Sequence, residues 1–302
     1  MLNALIPVFS LILIGVFLKY IKFPGAEFWR GAERITYYIL FPSLLFLKLS
    51  AINISDGVDL VKLLFVLVIM LILISLILVL VRHLFSLDAA VFTSLFQGGI
   101  RFNTYVGLAV VNGLLGDSGV SIAAIVVGIM IPIVNLLCIS AFAFAGKDDG
   151  ISAASIIKQI VTNPLILACA TGIIWNQVGL ALPELFISVL GLLSTIALPL
   201  GLLAVGAGVR FSVIGHSIKP LIISSTIKLL LSPLLAYTLC LLFGMEMETT
   251  LVVVVMASLP TASSAYILSR ELGGDSNVMA VMISAQTLVA MIIMPVVIGL
   301  LN

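Results

Sequence analysis

Hydrophobic residues occur along the chain in runs of about 20, and short clusters of Gly, Pro and charged residues separate these runs. A helix of about 20 apolar residues spans the roughly 30 Å hydrocarbon core of a bilayer. The pattern therefore predicts an all-α polytopic membrane protein with ten transmembrane helices, here called crossings 1 to 10. Their predicted spans are 4–21, 32–50, 59–84, 88–115, 118–144, 153–176, 184–209, 217–243, 247–272 and 276–301.

Crossings 4 and 9 contain residues that interrupt helices, in the middle of otherwise apolar runs. The residues in question are Gly98, Gly99, Arg101 and Asn103 in crossing 4, and Ser258, Pro260, Thr261, Ser263 and Ser264 in crossing 9. Both crossings are predicted to be broken within the membrane.

A nearly constant spacing between landmarks indicates an internal repeat. Four pairs lie 157 residues apart: Pro7 and Pro164, Gly15 and Gly172, Pro42 and Pro199, and Lys62 and Lys219. The sequence Gly-Asp-Ser recurs at a spacing of 158, and the same shift places Asn103 beside Thr261, so the two breaks coincide. We therefore expect two five-helix repeats, residues 1–145 and 146–302. An odd number of crossings gives them inverted topology.

Positive charges are distributed unevenly between the two predicted sides of the membrane. Ten Lys and Arg residues flank connections 1-2, 3-4, 5-6, 7-8 and 9-10, and only Lys48 and Lys62 flank the other side. The first side should be cytoplasmic. The first apolar run has no preceding basic residues and no cleavage site, so we interpret it as a retained helix. We expect a multi-pass protein of the bacterial inner (plasma) membrane with both termini outside.

Arg101 is predicted to lie near the middle of the membrane. Crossing 4 enters from the cytoplasm at Asp88, and 13 residues of helix (101 − 88) cover about 20 Å. Broken backbone at this depth persists only inside protein or beside a wet cavity. Half-helices that begin near Thr104 and Thr261 would direct N–H groups into that cavity, and an anion is the natural ligand for them.

The candidate substrate-binding residues combine these donors with neighbouring polar side chains. They are Gln97, Arg101, Asn103, Thr104, Asn135, Pro260, Thr261, Ser263 and Ser264. Two alternatives remain open. Arg101 can instead neutralise the C-terminal dipole of the half-helix before it, and the amides of Gln97, Asn135 and Gln286 can instead form interhelical hydrogen bonds. Lys228 can snorkel towards the cytoplasm or face the transport domain, and we favour snorkelling or a structural contact.

Several classes of function are disfavoured. All 13 acidic residues fall at or near predicted helix ends, which argues against cation exchange at mid-membrane. There is no catalytic motif, no metal-ligand spacing among the three cysteines and no phosphate loop, so we predict neither an enzyme nor a cofactor. A net charge of +1 gives no indication of a nucleic-acid partner.

Certain segments resemble the auxin efflux carrier family, which includes bacterial malate and malonate permeases and the plant PIN auxin exporters. They are LIPVF at 5–9 with Gly15, FWRGAERITYYILFPSLLF at 28–46, RFNT at 101–104 with Gly107, LPTA at 259–262, and Gly274 with the Asp-Ser after it. The resemblance covers essentially the whole chain. Phe102 departs from it, because the plant proteins have proline there.

The resemblance implies an NhaA-like fold in which crossings 4 and 9 cross each other. It also implies a scaffold of crossings 1, 2, 6 and 7, a transport domain of crossings 3–5 and 8–10, elevator-type movement and a homodimer formed through the scaffold. Our leading hypothesis is a secondary transporter of small organic anions, mono- or dicarboxylates such as malate or malonate. One alternative is a sodium-coupled bile-acid-type symporter, which would need a carboxylate or clustered oxygens at the crossover, and the sequence has no carboxylate there. The other is a membrane sensor that binds an organic acid without transport.

Overall fold

The computed structural model describes residues 2–51, 59–146, 158, 161–209 and 218–300. Every regular element in these residues is helical. The elements are α1 (Leu2–Tyr20), α2 (Ala26–Ile35), a π-helical segment (Thr36–Leu40), α3 (Phe41–Ser50), α4 (Leu60–Leu84), α5 (Ala89–Ile100), α6 (Thr104–Phe144), α7 (Pro164–Val178), α8 (Glu184–Gly208), α9 (Ile218–Thr226), a second π-helical segment (Ile227–Leu231), α10 (Ser232–Leu242), α11 (Met247–Ala257), α12 (Ser264–Glu271) and α13 (Ser276–Gly299).

These elements correspond to the ten predicted crossings. Crossing 2 is α2, the first π segment and α3 in one continuous helix, and crossing 8 is α9, the second π segment and α10. Crossings 4 and 9 are interrupted as predicted, at residues 101–103 and 258–263. Crossings 4 and 5 meet at Gly116, whose φ of 62° lies in the left-handed region that glycine adopts without strain. The predicted start of crossing 6 at residue 153 lies outside the described residues.

Five helical stretches of the described chain are long and apolar enough to cross a membrane. They are 60–84, 89–144, 184–208, 218–242 and 276–299. Shorter apolar helices cover 5–20, 164–178 and 247–257.

Side-chain caps explain where several of these helices begin. The carboxylate of Asp88 accepts hydrogen bonds from the N–H groups of Ala90 and Val91 at the start of α5. Asp275 caps α13 in the same way, and the Asn163 amide oxygen caps α7. Because the first N–H groups of a helix have no intrahelical acceptor, these polar residues fix the helix starts at the ends of the apolar runs.

One boundary differs from the prediction and changes the position of an acidic residue. α2 begins at Ala26, not near residue 32, so Glu33 lies within a continuous helix and is half-buried. The expectation that every acidic residue lies near a helix end is therefore wrong for Glu33. The first two turns are amphipathic, with Trp29 buried and Arg30 exposed, and a search for purely apolar runs misses a helix of this kind.

The chain divides into two compact units. The first contains residues 1–58, 105–128 and 159–208, and the second contains 59–104, 129–158 and 209–302. In the first unit α1 packs on α8, and α3 packs on α7. Gly15 and Gly206 allow the backbones of α1 and α8 to touch, because a Cβ on either would collide with the main chain of the other helix.

In the second unit α5 is the central helix. It packs against α4, α9 and α13, and its residues from Phe92 to Ile100 are all buried. The break that follows α5 therefore lies among protein helices. Interrupted backbone at membrane depth requires such surroundings, because lipid cannot satisfy its hydrogen-bonding groups.

Candidate functional site

The two interruptions meet inside the second unit. α5 ends at Ile100 and α6 begins at Thr104, while α11 ends at Ala257 and α12 begins at Ser264. The N–H of Asn103 in the first break donates to the carbonyl oxygen of Pro260 in the second at 2.8 Å. Main chain released from one helix is thus satisfied by main chain released from the other.

Small residues at the end of α5 allow α4, α9 and α13 to pack closely beside the first break. A Cβ on Gly98 would lie 2.6 Å from the sulfur of Met282 and 2.6 Å from the hydroxyl of Ser224, and a Cβ on Gly99 would lie 2.9 Å from Leu78. In the second break, Pro260 has no N–H with which to continue the helix. The sequence around both breaks therefore favours close packing of interrupted backbone.

Gln286 of α13 supplies the hydrogen bonds that the interrupted backbone lacks. Its Nε2 donates to the carbonyl of Gly98 at 3.1 Å and to the hydroxyl of Ser224 at 3.0 Å. Its Oε1 accepts from the N–H of Thr261 at 3.0 Å. The Thr261 hydroxyl lies 2.7 Å from this Oε1 and 2.8 Å from the Gly98 carbonyl, and its single proton serves one of them at a time. Gln286 therefore forms interhelical hydrogen bonds, which was one of its two alternatives.

Arg101 ends α5 and extends its guanidinium towards two other elements. Nη2 donates to the Asn135 amide oxygen at 2.9 Å, and Nη1 donates to the Ser264 hydroxyl at 3.3 Å. The third nitrogen, Nε, is buried and has no hydrogen-bond partner within the described residues. No carboxylate of the described residues pairs with Arg101. The site therefore holds a positive charge that no described carboxylate compensates, with one free donor, and this suits an anion.

Gln97 lies one turn before Arg101 and is completely buried. Its Nε2 donates to the Ser269 hydroxyl of α12 at 2.8 Å, while its Oε1 has no partner among the described residues. Gln97 therefore forms the interhelical hydrogen bond that was one of its two alternatives. It also leaves an acceptor that a protonated ligand atom or a water can use.

Some of the remaining candidate residues are buried where the two breaks contact each other, and the others lie at the edge of that contact. Asn103, Thr104, Pro260 and Thr261 are buried, and Thr261 uses both its N–H and its hydroxyl within the protein. Ser263 is half-buried and Ser264 is exposed. α12 begins at Ser264, three residues later than the predicted start near Thr261, because the intervening residues form a turn in which Ala265 N–H donates to Ala262.

Lys228 lies beside the first break. The residue is only 1% exposed, within the second π segment, and its ammonium lies 5.9 Å from the centre of the Phe102 ring in the first break. Snorkelling towards the cytoplasm is therefore wrong for this side chain. The available sequence signal was a lysine well inside an apolar run, a position at which charges are usually functional.

Broken helices that meet within a multi-pass membrane protein are typical of secondary transporters. The family of membrane transport proteins matches residues 1–298, so this chain belongs to that family, the auxin efflux carrier family. It is a transporter and not an enzyme.

Two archaeal relatives align over most of their length. An uncharacterised transporter from Methanothermobacter thermautotrophicus is 26% identical over 294 residues, which are 97% of this chain and 96% of the relative. An uncharacterised transporter from Methanocaldococcus jannaschii is 24% identical over 275 residues, 88% of each chain.

Proposed function

We propose that this protein is a secondary transporter that moves small organic anions, mono- or dicarboxylates such as malate or malonate, across the plasma membrane. The observation that carries the proposal is Arg101, which has an unpartnered buried Nε and no carboxylate partner in the described chain. Arg101 is half-buried, and a partly desolvated cation without a counterion is costly, a cost that a bound carboxylate reduces. Asn135 and Ser264 orient the guanidinium, and Asn103 follows two residues later in the same break.

The proposed mechanism is elevator-type alternating access. The inferred moving part is crossings 3–5 and 8–10, which carry every candidate residue, and the inferred scaffold is crossings 1, 2, 6 and 7. The two compact units support this division for most of the chain, although residues 105–128 belong to the first unit. The proposal includes inverted repeats in an NhaA-like fold, both termini outside, and a homodimer formed through the scaffold.

Counterflow tests the function directly. Proteoliposomes preloaded with unlabelled malate should accumulate labelled malate with the wild-type protein, and a panel of malonate, monocarboxylates and indole acids tests the substrate class. Arg101→Gln should lower the rate about tenfold, because a charge-assisted hydrogen bond between this half-buried guanidinium and an anion is worth about 1.4 kcal/mol or more. Asn103→Ala should also lower the rate.

The matched control is Arg30→Gln, which removes an exposed arginine of the first unit. It should transport like the wild type, and thermal unfolding should show that every variant is folded. If Arg101→Gln transports at the wild-type rate, Arg101 is not the anion site. If folded wild-type protein shows no counterflow with any acid, transport of organic anions is wrong. Stimulation by a sodium gradient would favour the sodium-coupled alternative.

A further inference from the structure

The second half of crossing 4 and the first half of crossing 5 form a hairpin that turns at Gly116. This hairpin, residues 105–128, belongs to the first compact unit, whereas the remainder of both crossings belongs to the second. In the proposed mechanism crossings 4 and 5 move while crossings 2, 6 and 7 stay in place. The contacts between the hairpin and those three crossings therefore have to part at some stage of the transport cycle.

The end of the hairpin next to the first break is held by close packing. Tyr105, the second residue of α6, stacks on Phe41 of crossing 2 with the ring centroids 4.4 Å apart. A Cβ on Gly201 of crossing 7 would lie 3.1 Å from the Phe41 ring and 3.3 Å from the Tyr105 ring, so the three helices approach closely. In the other arm of the hairpin, the Ala124 carbonyl accepts a hydrogen bond from the Cys169 thiol of crossing 6 at 3.7 Å. The hairpin thus contacts crossings 2, 6 and 7.

The turn of the hairpin is held by an ion pair. Lys48, in the last turn of α3, donates from Nζ to the carboxylate of Asp117. The pair formed by Asp59 and Lys62 is local, since these residues are three positions apart at the start of one helix. Lys48 and Asp117 are 69 positions apart, and their pair joins crossing 2 to the connection between crossings 4 and 5.

The Phe41–Tyr105 stack and the Lys48–Asp117 pair are two contacts of α3 with the hairpin, and we call them together the outer strip. Phe41 and Lys48 are seven residues apart (48 − 41), which is about 10 Å of helix. The outer strip therefore extends from a residue beside the first break to the turn of the hairpin, on the predicted outer side of the membrane. Alternating access requires that the path to one side is closed while the other is open. Contacts in this position close the outer side.

We propose that the outer strip is the extracellular gate of the carrier, closed in this structure, and that the Lys48–Asp117 pair biases the gate towards the closed state. The inference rests on the proposed function and adds the residues of the gate to it. The side chains of Lys48 and Asp117 are 22% and 84% exposed, so water screens their attraction and the pair is weak. A weak pair suits a gate that opens in every cycle, because a buried pair would hold it shut.

The first experiment locks the gate. Lys48→Cys and Asp117→Cys are combined in one variant, and 1,2-ethanediyl bismethanethiosulfonate, a short reagent, joins the two thiols by a link that a reductant cleaves. The native cysteines are buried, so the reagent should react with the introduced pair. Linking should abolish malate counterflow in proteoliposomes, because the gate can no longer open, and reduction should restore counterflow.

Each single-cysteine variant treated with the same reagent is the matched control and should retain counterflow. Full counterflow by the linked variant would show that the hairpin stays on crossing 2 throughout the cycle, so the gate would be wrong and the carrier would stand. Failure of the thiols to link in folded protein would contradict the contact itself. Absence of counterflow in folded wild-type protein with every acid would instead overturn the proposed function.

The second experiment measures the gate without transport. Tyr105→Cys places a thiol within the outer strip, and its reaction with a membrane-impermeant maleimide added outside reports opening. Adding Lys48→Gln should speed this labelling about two- to fivefold, the effect that loss of an exposed ion pair has on an equilibrium. The exchange of charges by Lys48→Asp with Asp117→Lys should restore slow labelling.

Lys62→Gln is the matched control for the loss of charge, since Lys62 lies on the same predicted side and pairs with Asp59 of its own helix start. It should leave the labelling rate of Tyr105→Cys unchanged. Equal rates with and without Lys48→Gln would show that the Lys48–Asp117 pair does not hold the gate. Labelling from the cytoplasmic side alone would place the strip on the inner side and would overturn the extracellular gate.

Discussion

At the scale of single residues, Gln286 has the most demanding position, because its amide serves both breaks. Replacing it with leucine leaves the Gly98 carbonyl and the Thr261 N–H without this partner in a buried place. The Thr261 hydroxyl still donates to the Gly98 carbonyl, so the Thr261 N–H is the group left unsatisfied. One such group costs about 1–3 kcal/mol, and we expect Gln286→Leu to lower the free energy of unfolding by about that amount. Chemical unfolding of the purified protein in detergent measures this change.

The control for this prediction is Gln177→Leu, which replaces an exposed glutamine at the end of α7. It should change the free energy of unfolding by less than about 0.5 kcal/mol. Equal stability of the two variants would mean that the breaks do not depend on the Gln286 amide.

The sequence could indicate some of these residues and not others. Arg101, Asn103 and Pro260 are recognisable because they interrupt apolar runs. Gln286 and Lys228 also lie within apolar runs, but their contacts are with residues far away in the chain. The Gly98 carbonyl is 188 residues from Gln286, and no local pattern reports that separation.

At the scale of helices, the packing of α1 on α8 depends on Gly206. A Cβ at this position would meet the carbonyl of Ile12, and backbone cannot move aside as a side chain can. We expect Gly206→Ala to destabilise the protein by about 1–3 kcal/mol or more through overpacking. The thermal unfolding temperature in detergent should fall accordingly.

Gly191 of the same helix is a matched control, because a Cβ there would have no neighbour within 4 Å. Alanine is the better helix former, so Gly191→Ala should be neutral or stabilising by up to about 1 kcal/mol. If both variants lose stability equally, the effect belongs to helix propensity and the close approach of α1 and α8 is not responsible.

Helix boundaries were predictable where they depend on composition alone. The apolar runs that follow Asp88 and Asp275 predicted the starts of α5 and α13 closely, because the capping carboxylate stands where the polarity of the sequence changes. The repeat-related Asp117 forms an ion pair with Lys48, so equal sequence positions have different local roles. The π segments leave no pattern in the sequence, because one extra residue in a turn depends on tertiary packing.

At the scale of the whole molecule, the number and order of helices followed from the apolar runs, and the breaks in crossings 4 and 9 followed from their polar residues. That these two breaks contact each other through Asn103 and Pro260 is a tertiary fact. The internal repeat placed them at equivalent positions, and the family resemblance implied that the two crossings cross. The inverted relation of the two repeats stays a prediction. It rests on an odd number of crossings and on the distribution of Lys and Arg.

Glu27 and Glu184 provide a direct test of that inversion. The two residues are 157 positions apart (184 − 27), and each lies in the first turn of its helix with an exposed side chain. Inverted topology places Glu27 on the cytoplasmic side and Glu184 outside, because the same position in two oppositely oriented repeats faces opposite sides.

Cys138, Cys169 and Cys240 are buried, so each introduced cysteine should react selectively with a membrane-impermeant maleimide. In intact cells Glu184→Cys should be labelled and Glu27→Cys should not, and in inside-out vesicles the pattern should reverse. Labelling of both variants from one side would show that the repeats have the same orientation, and elevator movement built on inverted repeats would then have to be abandoned.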